Sequence, residues 1–529
     1  MPPKYLGLSG RPLSLTLSFI ATTGFMLFGY DQGVMSGIIT APAFADVFEE
    51  TRDNSRMQGL VTAIFEIGCL IGAAFILWAG DALGRRKAII LGISIMVIGV
   101  VIQVTSFPGH APLAQFIIGR TITGVGNGIN TSTIPTYQAE CSKSTNRGLL
   151  ICIEGGVVAF GTMVAYWLDY GASYGPADLV WRFPIAFQCF FCVIIVAGML
   201  FLPDSPRWLF MRENYQEGER VIAALRGLEI SDHQVQVEKA TILDSIQASG
   251  AGKTTPLSAV FTNGKTQHFR RMLLGSSSQF FQQIGGCNAV IYYFPILFEK
   301  SIHETHNMSL LMGGVNMIVY SIFATFSWFF IERVGRRKLF LIGSAGQSLS
   351  MVITFSCLIR ENEANAKGAA VGLFTFIAFF GATWLPLPWL YPAEISPIKT
   401  RAKANALSTC TNWLWNFVVV MVTPVMLTDI GWGTYLFFAC VNACFIPVIY
   451  LFYPETAGRS LEEIDIIFAK GWTDGKGYVR AAKELPFLTP EQVEEMAVQY
   501  GFLAEQQKAE SSEDGGEFGA VKQEIKQEE

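Results

Sequence analysis

Apolar residues are concentrated in twelve stretches of the chain, which short polar segments separate. A helix needs roughly 20 apolar residues to cross a bilayer, and each stretch is about that long. The pattern predicts twelve membrane-spanning helices. They are centred on residues 14–36, 57–79, 88–106, 112–134, 149–169, 184–202, 272–294, 309–331, 338–358, 369–391, 404–427 and 432–453.

Two longer polar regions interrupt this alternation. Residues 203–271 separate the sixth and seventh stretches, and residues 454–529 follow the twelfth. The end of the second region is highly charged and poor in hydrophobic residues, a composition typical of disordered chains. We expect that end to be disordered.

Composition supports a membrane protein and excludes several other classes. Of the 529 residues, 51% are hydrophobic and only 15% are charged, whereas soluble domains carry about 25% charged residues. A net charge of −5 gives no indication of nucleic-acid binding. Since no arrangement of Ser, His, Cys and Asp suggests an enzyme or a metal site, we expect no catalytic residue, no cofactor and no metal ion.

The positive charges in short loops predict the orientation. Twelve Lys and Arg residues lie on one side, among them Arg85 and Arg337, and six lie on the other, among them Arg52 and Lys300. Cytoplasmic loops carry the excess of Lys and Arg. We therefore expect the first side, both termini and the 203–271 region to be cytoplasmic.

Three charged patterns occur twice, at nearly constant separations of 251, 254 and 251 residues. Such spacing predicts two similar halves of six spans each. The pairs are "DALGRR" at Asp81–Arg86 with "ERVGRR" at Glu332–Arg337, "AECSKSTNR" at 139–147 with "AEISPIKTR" at 393–401, and "PDSPR" at 203–207 with "PETAGR" at 454–459.

The repeated charges suggest a gate on the predicted cytoplasmic side. Arginines and carboxylates recur together, so we expect ion pairs that lock the two halves together when the solute site faces outward. The alternative is that the arginines only set the orientation. The gating candidates are Asp81, Arg85, Arg86, Glu140, Arg147, Asp204, Arg207, Glu332, Arg336, Arg337, Glu394, Arg401, Glu455 and Arg459.

Polar residues interrupt the seventh span in "SSSQFFQQIGGCNAVIYY". Gln282, Gln283 and Asn288 lie within two turns, and the glycine pair between them should loosen the helix. Amides both donate to and accept from hydroxyl groups, and Trp389 or Trp413 could supply an aromatic platform. Hydrogen bonding between helices is the alternative role for the amides.

Charged residues also occur inside the first and fourth spans. Asp31 follows a long uncharged run, and Arg120 is equally out of place in "QFIIGRTITG". A charge near the centre of a spanning helix costs roughly 2.5–3.5 kcal/mol on insertion scales. We expect Asp31 and Arg120 to pair, with protonation breaking the pair; a static structural pair is the alternative. Glu66, in the second span, could share the proton or only bond a neighbouring helix.

These motifs resemble the sugar-porter branch of the major facilitator superfamily over about residues 14–470. The motifs that carry this resemblance are "GRR", which occurs twice, "PDSPRWL", "QQIGGCNAVIYY" and "PETAGRSLEEID". The sequence around these motifs is similar to that of fungal members, in the branch of glycerol–proton symporters and related monosaccharide transporters. The resemblance implies an all-α protein with the major facilitator fold: twelve transmembrane helices in two six-helix pseudo-repeats, with cytoplasmic helical segments and alternating access.

The pattern of spans divides the chain into five parts, and the resemblance adds helical structure in the linker and assigns residue roles. The parts are a cytoplasmic N-terminus (1–13), two bundles (14–202 and 272–453), cytoplasmic linker helices (203–271) and a tail that is helical at its start (454–529). Asp31 matches the proton-binding aspartate of the family and Arg120 its span-four arginine. The positions that match sugar contacts are Gln282, Gln283, Asn288, Asn316, Trp389 and Asn412.

One position departs from the family pattern. Where hexose and xylose transporters usually offer a glutamine from span five, this chain has Gly155, preceded by Glu154. A smaller polyol thereby becomes more plausible. Glu154 could bind a hydroxyl group itself or be paired away from the cavity.

Taken together, these features predict a proton-coupled symporter that imports a monosaccharide, hexose or pentose, across the plasma membrane as a monomeric transport unit. The alternatives are a glycerol or polyol symporter and an uncoupled sugar facilitator. A nutrient sensor is disfavoured because such sensors have much longer tails. The expected partners are the solute, protons and the lipid bilayer.

Overall fold

The computed structural model describes residues 2–109, 111–142, 147–248, 257–302, 304–360, 363–397, 400–475 and 477–500, except for the side chains at 147–152, 247–248, 363–364, 402, 490 and 494. The tail end expected to be disordered lies outside these residues. Within them, the chain forms helices joined by short loops. The helices of the N-terminal half are α1 (Arg11–Ile38), α2 (Pro42–Val47), α3 (Ser55–Leu83), α4 (Arg85–Val104), α5 (Pro112–Cys141), α6 (Arg147–Ala172) and α7 (Ala177–Met199).

Three short helices follow in the linker: α8 (Pro206–Met211), α9 (Tyr215–Arg226) and α10 (His233–Ala248). The C-terminal half contains α11 (His268–Ile284), α12 (Cys287–Ile302), α13 (His306–Val334), α14 (Arg336–Leu358), α15 (Glu363–Phe379), α16 (Leu387–Ile395), α17 (Arg401–Asp429) and α18 (Gly433–Phe452). The tail adds α19 (Leu461–Thr473), α20 (Tyr478–Glu484) and α21 (Pro490–Tyr500).

Nine segments in the described part of the chain are long and apolar enough to cross a membrane, one of them formed by α15 and α16 together. Some predicted spans do not meet these criteria of length and hydropathy, and they include the spans that a helix break or polar residues interrupt. The seventh span is divided into α11 and α12, and α5 carries Arg120, Asn127 and Asn130. Buried polar residues lower the mean hydropathy of a helix, and in a spanning helix they mark functional positions.

The two halves meet along α1, α3 and α6 on one side and α12, α17 and α13 on the other. Toward the predicted extracellular side, the Ser55 and Thr428 hydroxyl groups lie 2.6 Å apart. Deeper in the same interface, the Tyr166 hydroxyl donates to the Ile291 carbonyl at 2.5 Å. The halves are therefore hydrogen-bonded to each other in this part of the interface.

Candidate solute and proton sites

A break in the seventh span brings two amides together. Helix α11 ends at Ile284, and Gly286 adopts φ 94° before α12 begins. A Cβ at this glycine would lie 2.6 Å from the Phe438 ring, so no other residue fits without a shift. Across the break, Asn288 Nδ2 donates to Gln283 Oε1 at 2.7 Å. The glycine pair separates the helices, as its sequence predicts.

These amides continue into a network with α17. Asn288 also donates to Asn416 Oδ1 at 2.7 Å, while Asn412 Nδ2 donates to Gln282 at 3.0 Å and to Gln279 at 2.5 Å. We call Gln279, Gln282, Gln283, Asn288, Asn412 and Asn416 the amide cluster; all are buried. Gln279 was missed by the sequence analysis, although its spacing of three and four residues from Gln282 and Gln283 places it on the same helix face.

The tenth span breaks beside the amide cluster. Helix α15 passes into a π-helical turn, Phe380–Trp384, before α16 begins at Leu387. The freed carbonyl groups need partners, because unbonded backbone groups are costly within a membrane. Gln282 Nε2 donates to the Trp384 carbonyl at 2.7 Å, and Gln279 Nε2 donates to the Pro388 carbonyl at 2.7 Å. Amides of α11 therefore satisfy carbonyl groups at this break, where Pro386 and Pro388 lack the N–H groups that a continuous helix needs.

Several buried polar atoms of the C-terminal half have no hydrogen-bond partner. They include both amide atoms of Asn316 and the ring nitrogens of Trp384 and Trp413, all buried. Trp413 packs edge-on against Phe28 of α1 at 5.7 Å, which places it between the halves. Trp389 is half-buried, one residue beyond the Pro388 carbonyl that Gln279 binds. Buried donors without partners are uncommon in proteins and call for a ligand or another explanation.

In the fifth span, Gly155 has no side chain at the position where related transporters usually have a glutamine. A Cβ on Gly155 would lie 3.6 Å from the Leu385 side chain, in ordinary contact, so the glycine faces the break in the tenth span. Glu154 is buried, with 8% of its surface exposed. The same helix carries Asp169, a buried carboxylate that the sequence analysis missed; it accepts from the Gly37 N–H at 3.2 Å. A charged residue within the apolar stretch "WLDYG" could have identified Asp169 from the sequence alone.

Three fully buried ionisable side chains lie together in the N-terminal half: Asp31 on α1, Glu66 on α3 and Arg120 on α5. We call them the charged cluster. The predicted Asp31–Arg120 ion pair is not formed in this structure, because neither Asp31 oxygen nor any Arg120 guanidinium nitrogen has a hydrogen-bond partner. The Arg120 guanidinium instead lies over the Phe65 ring, 4.7 Å from its centroid.

Glu66 connects the charged cluster to the other half. Its Oε1 accepts from the Tyr292 hydroxyl of α12 at 2.5 Å, and Asn416 of the amide cluster lies beside it. Its other oxygen has no partner. The carboxylate thus stands at the boundary between the charged cluster and the amide cluster.

The gating candidates of the N-terminal half form a compact ion-pair group. Arg85 binds both oxygens of Glu140 at 3.0 Å, and its backbone N–H donates to Asp204 at 3.1 Å. The Ser205 hydroxyl donates to Glu140 at 2.5 Å. Gly84, at φ 82°, brings the backbone within reach of Asp204, where a Cβ would lie 2.7 Å from the carboxylate.

The C-terminal half repeats this group. Arg336 binds Glu394 at 2.8 Å, and its backbone N–H donates to Glu455 at 2.8 Å. The Thr456 hydroxyl donates to Glu394 at 2.6 Å, in the place of Ser205. Ser205 was missed by the sequence analysis, as was Thr456, although each directly follows a repeated carboxylate, 251 residues apart.

These pairs correct one expectation. The repeated charges were expected to lock the two halves together, but each of these pairs joins helices of one half. Ion pairs form between charges that the fold brings within about 4 Å, and the fold places the carboxylates next to arginines of the same half. The exposed Asp81 and Glu332 each add a contact to Arg85 and Arg336, respectively.

The remaining gating candidates bond at helix ends. Arg86 donates to the Met199 carbonyl at 2.8 Å, and its counterpart Arg337 donates to the Tyr450 carbonyl at 2.5 Å. Both interactions satisfy carbonyls in the last turns of helices. The side chain of Arg147 lies outside the described residues, and three other arginines make hydrogen bonds within the linker, the C-terminal half and the tail. These three are Arg207 with Ser245 at 3.0 Å, Arg401 with the Ser396 carbonyl at 3.3 Å, and Arg459 with the Ala482 carbonyl at 3.0 Å.

Comparison with known proteins identifies the family. Residues 17–468 match the protein-family model described as "Sugar (and other) transporter". The chain belongs to this family. Its proteins are membrane transporters rather than enzymes, and the protein is a multi-pass membrane protein with the major facilitator fold.

Relatives of this sugar transporter family member span nearly its whole length. It is 48% identical to "Sugar transporter STL1" of Saccharomyces cerevisiae, over 93% of this chain and 88% of the yeast protein. It is 46% identical to "Major facilitator superfamily transporter mfsA" of Aspergillus fumigatus, over 94% and 93%. The xylose transporter XylE of E. coli, in a partially occluded inward open conformation, is similar in fold, with 22% identity, TM-score 0.72 and coverage of 85% and 100%.

Proposed function

We propose that this protein is a proton-coupled symporter that imports a monosaccharide, hexose or pentose, across the plasma membrane by alternating access, with both termini in the cytoplasm. The amide cluster would bind the solute and the charged cluster would bind the proton. One observation carries the proposal: Asp31 and Arg120 are fully buried and without hydrogen-bond partners, beside a carboxylate that is bonded to the helix carrying Asn288.

A hydroxyl-rich solute fits the chemistry of the amide cluster. Each amide offers donors and acceptors, and the cluster lies where the seventh and tenth spans are both broken. Helix breaks near the middle of the bilayer are typical of transporter binding sites. Asn316 and the ring nitrogen of Trp413 supply further unused hydrogen-bonding groups. Two relatives carry the words transporter or sugar transporter in their names.

Proton coupling follows from the charge balance of the charged cluster. With all three groups ionised, it carries two negative charges and one positive charge. Buried like charges disfavour each other's ionisation, so a single proton on Asp31 or Glu66 would make the cluster neutral. Moving one proton per solute would then alternate the cluster between a charged and a neutral state.

Uptake in a yeast strain that lacks its own transporters tests this function. We expect concentrative uptake of labelled glucose or xylose that a protonophore abolishes. Asp31→Asn should permit equilibration of the solute but not accumulation. Asp169→Asn is the matched control: it alters another buried carboxylate of the same half and keeps an acceptor for the Gly37 N–H. Accumulation that survives both the protonophore and Asp31→Asn would contradict proton symport. Wild-type uptake that only equilibrates the solute would also contradict it and would leave an uncoupled facilitator.

A glycerol or polyol symporter is the second candidate, and Gly155 favours it. With no side chain from this position, α6 adds no hydrogen-bonding group opposite Leu385, which suits a smaller solute. Labelled glycerol belongs in the same uptake series. If glycerol is the solute, glycerol should accumulate and excess glucose should not compete. Gly155→Gln, which fills the space, should then reduce glycerol uptake more than Gly155→Ala does.

A further inference from the structure

The hydrogen bond between Glu66 and Tyr292 joins the two halves at the centre of the protein. Glu66 lies on α3 and Tyr292 on α12, and both side chains are fully buried. Their oxygen atoms are 2.5 Å apart. Hydrogen bonds to ionised groups are roughly twice as strong as those between neutral groups. The strength of this link therefore depends on whether Glu66 carries a proton.

The link continues to the amide cluster by two routes. Tyr292 is four residues beyond Asn288 on α12, one helical turn away. Asn416 lies beside Glu66 and accepts from Asn288 Nδ2 at 2.7 Å. A change at Glu66 can thus move α12, which carries Asn288, and Asn416, which accepts a hydrogen bond from Asn288. The Asp31 side chain, in contrast, has no hydrogen bond through which to act.

We propose that Glu66 is a positioning residue that transmits the protonation of the charged cluster to the solute site through Tyr292 and Asn416. This inference rests on the proposed function. It assigns the proton-dependent change in solute affinity to Glu66, while Asp31 remains the candidate for the transported proton. Several titratable or charged groups face Glu66. They are Asp31 on α1, Cys69 on α3, Arg120 on α5, and Tyr292 and Tyr293 on α12.

The adjacent tyrosine provides a matched control. Tyr293 is as deeply buried as Tyr292, but its hydroxyl donates to the Val420 carbonyl of α17 at 2.8 Å. Removing either hydroxyl deletes one buried hydrogen bond of the same helix. Only Tyr292→Phe cuts the link to the carboxylate. Glu66→Gln keeps an acceptor for Tyr292 but cannot become charged.

Initial uptake rates across a series of external pH values test the inference. In the wild type, KM should rise with pH, by at most about tenfold per pH unit for one linked proton. Glu66→Gln should abolish this slope, Tyr292→Phe should reduce it because only the Asn416 route then remains, and Tyr293→Phe should retain it. A purely structural role would lower Vmax and leave the slope unchanged.

Two results would overturn the inference: a wild-type KM that does not change with pH, or a wild-type slope in Tyr292→Phe. If Glu66→Gln does not reach the membrane, the two tyrosine variants decide the question by themselves. Failure of the symport proposal would be seen separately, as accumulation that resists the protonophore. The slope is measured from initial rates and does not depend on accumulation.

Discussion

Loss of Glu394 should destabilise the C-terminal half, and the exposure of its partners sets the size of the effect. The Arg336 and Glu394 side chains are only 6% and 16% exposed, and they make contacts of 2.8, 3.2 and 3.3 Å. Replacing Glu394 with Gln keeps the shape but removes the charge. It also leaves Arg336 with Glu332, which is 61% exposed.

The expected cost follows from these environments. Removing one partner of a fully buried ion pair costs about 3–5 kcal/mol, and Glu332 and solvent offset part of this loss. We therefore expect Glu394→Gln to lower the free energy of unfolding by about 2 kcal/mol, within the range of charge-assisted hydrogen bonds. Glu332→Gln is the control and should cost under about 0.5 kcal/mol, because exposed pairs contribute little.

Thermal unfolding of the purified protein in detergent measures both variants. About 2 kcal/mol corresponds to a fall in Tm of roughly 4–8 °C for a unit of 150–250 residues. Glu140→Gln should behave in the same way in the other half, since Glu140 and Arg85 are 10% and 11% exposed. A Tm for Glu394→Gln equal to that of the wild type, or a larger fall for Glu332→Gln, would refute the reasoning.

Three further substitutions have defined outcomes. Gly335→Ala should lower stability by about 1–3 kcal/mol, seen as a lower Tm, because its φ is 92° and a Cβ would lie 2.6 Å from Glu455. Asn316→Ala should raise the KM for solute without lowering Tm, since neither amide atom bonds the protein; an unchanged KM would exclude it from the site. Asp465→Asn should lower Tm by weakening its 2.6 Å contact with the fully buried Arg271, at about 1–3 kcal/mol; an unchanged Tm would show that the pair adds no stability.

Much of the fold is predictable from the chain because length and hydrophobicity determine a spanning helix. The predicted window 57–79 lies within α3, and 309–331 lies within α13. The break of the seventh span was predictable as well, since Gly285 and Gly286 weaken a helix locally. Pro386 and Pro388 likewise indicate a break in the tenth span. Its π-helical form at Phe380–Trp384 was not predictable, because its carbonyl groups depend on amides from another helix.

The contacts of charged residues were harder to predict. The sequence shows that Arg85 and Arg336 have carboxylates available, but charge complementarity does not reveal which half supplies them. Similarly, two opposite charges in apolar runs suggest that Asp31 binds Arg120. Their actual placement depends on Phe65 and on a third group, Glu66, whose partner lies in the other half. Such choices arise only when the helices pack.

The halves differ in the continuity of their helices. In the N-terminal half, α1 runs unbroken from Arg11 to Ile38, whereas its counterpart in the C-terminal half is divided into α11 and α12. A mutation near a helix break can change the shape of a cavity locally. A mutation in a continuous helix shifts the whole helix. Under the proposed function, new solutes could therefore be accommodated by changes in the C-terminal half while the N-terminal half, with its buried charges, is inherited unchanged, which would let one energy source serve many nutrients.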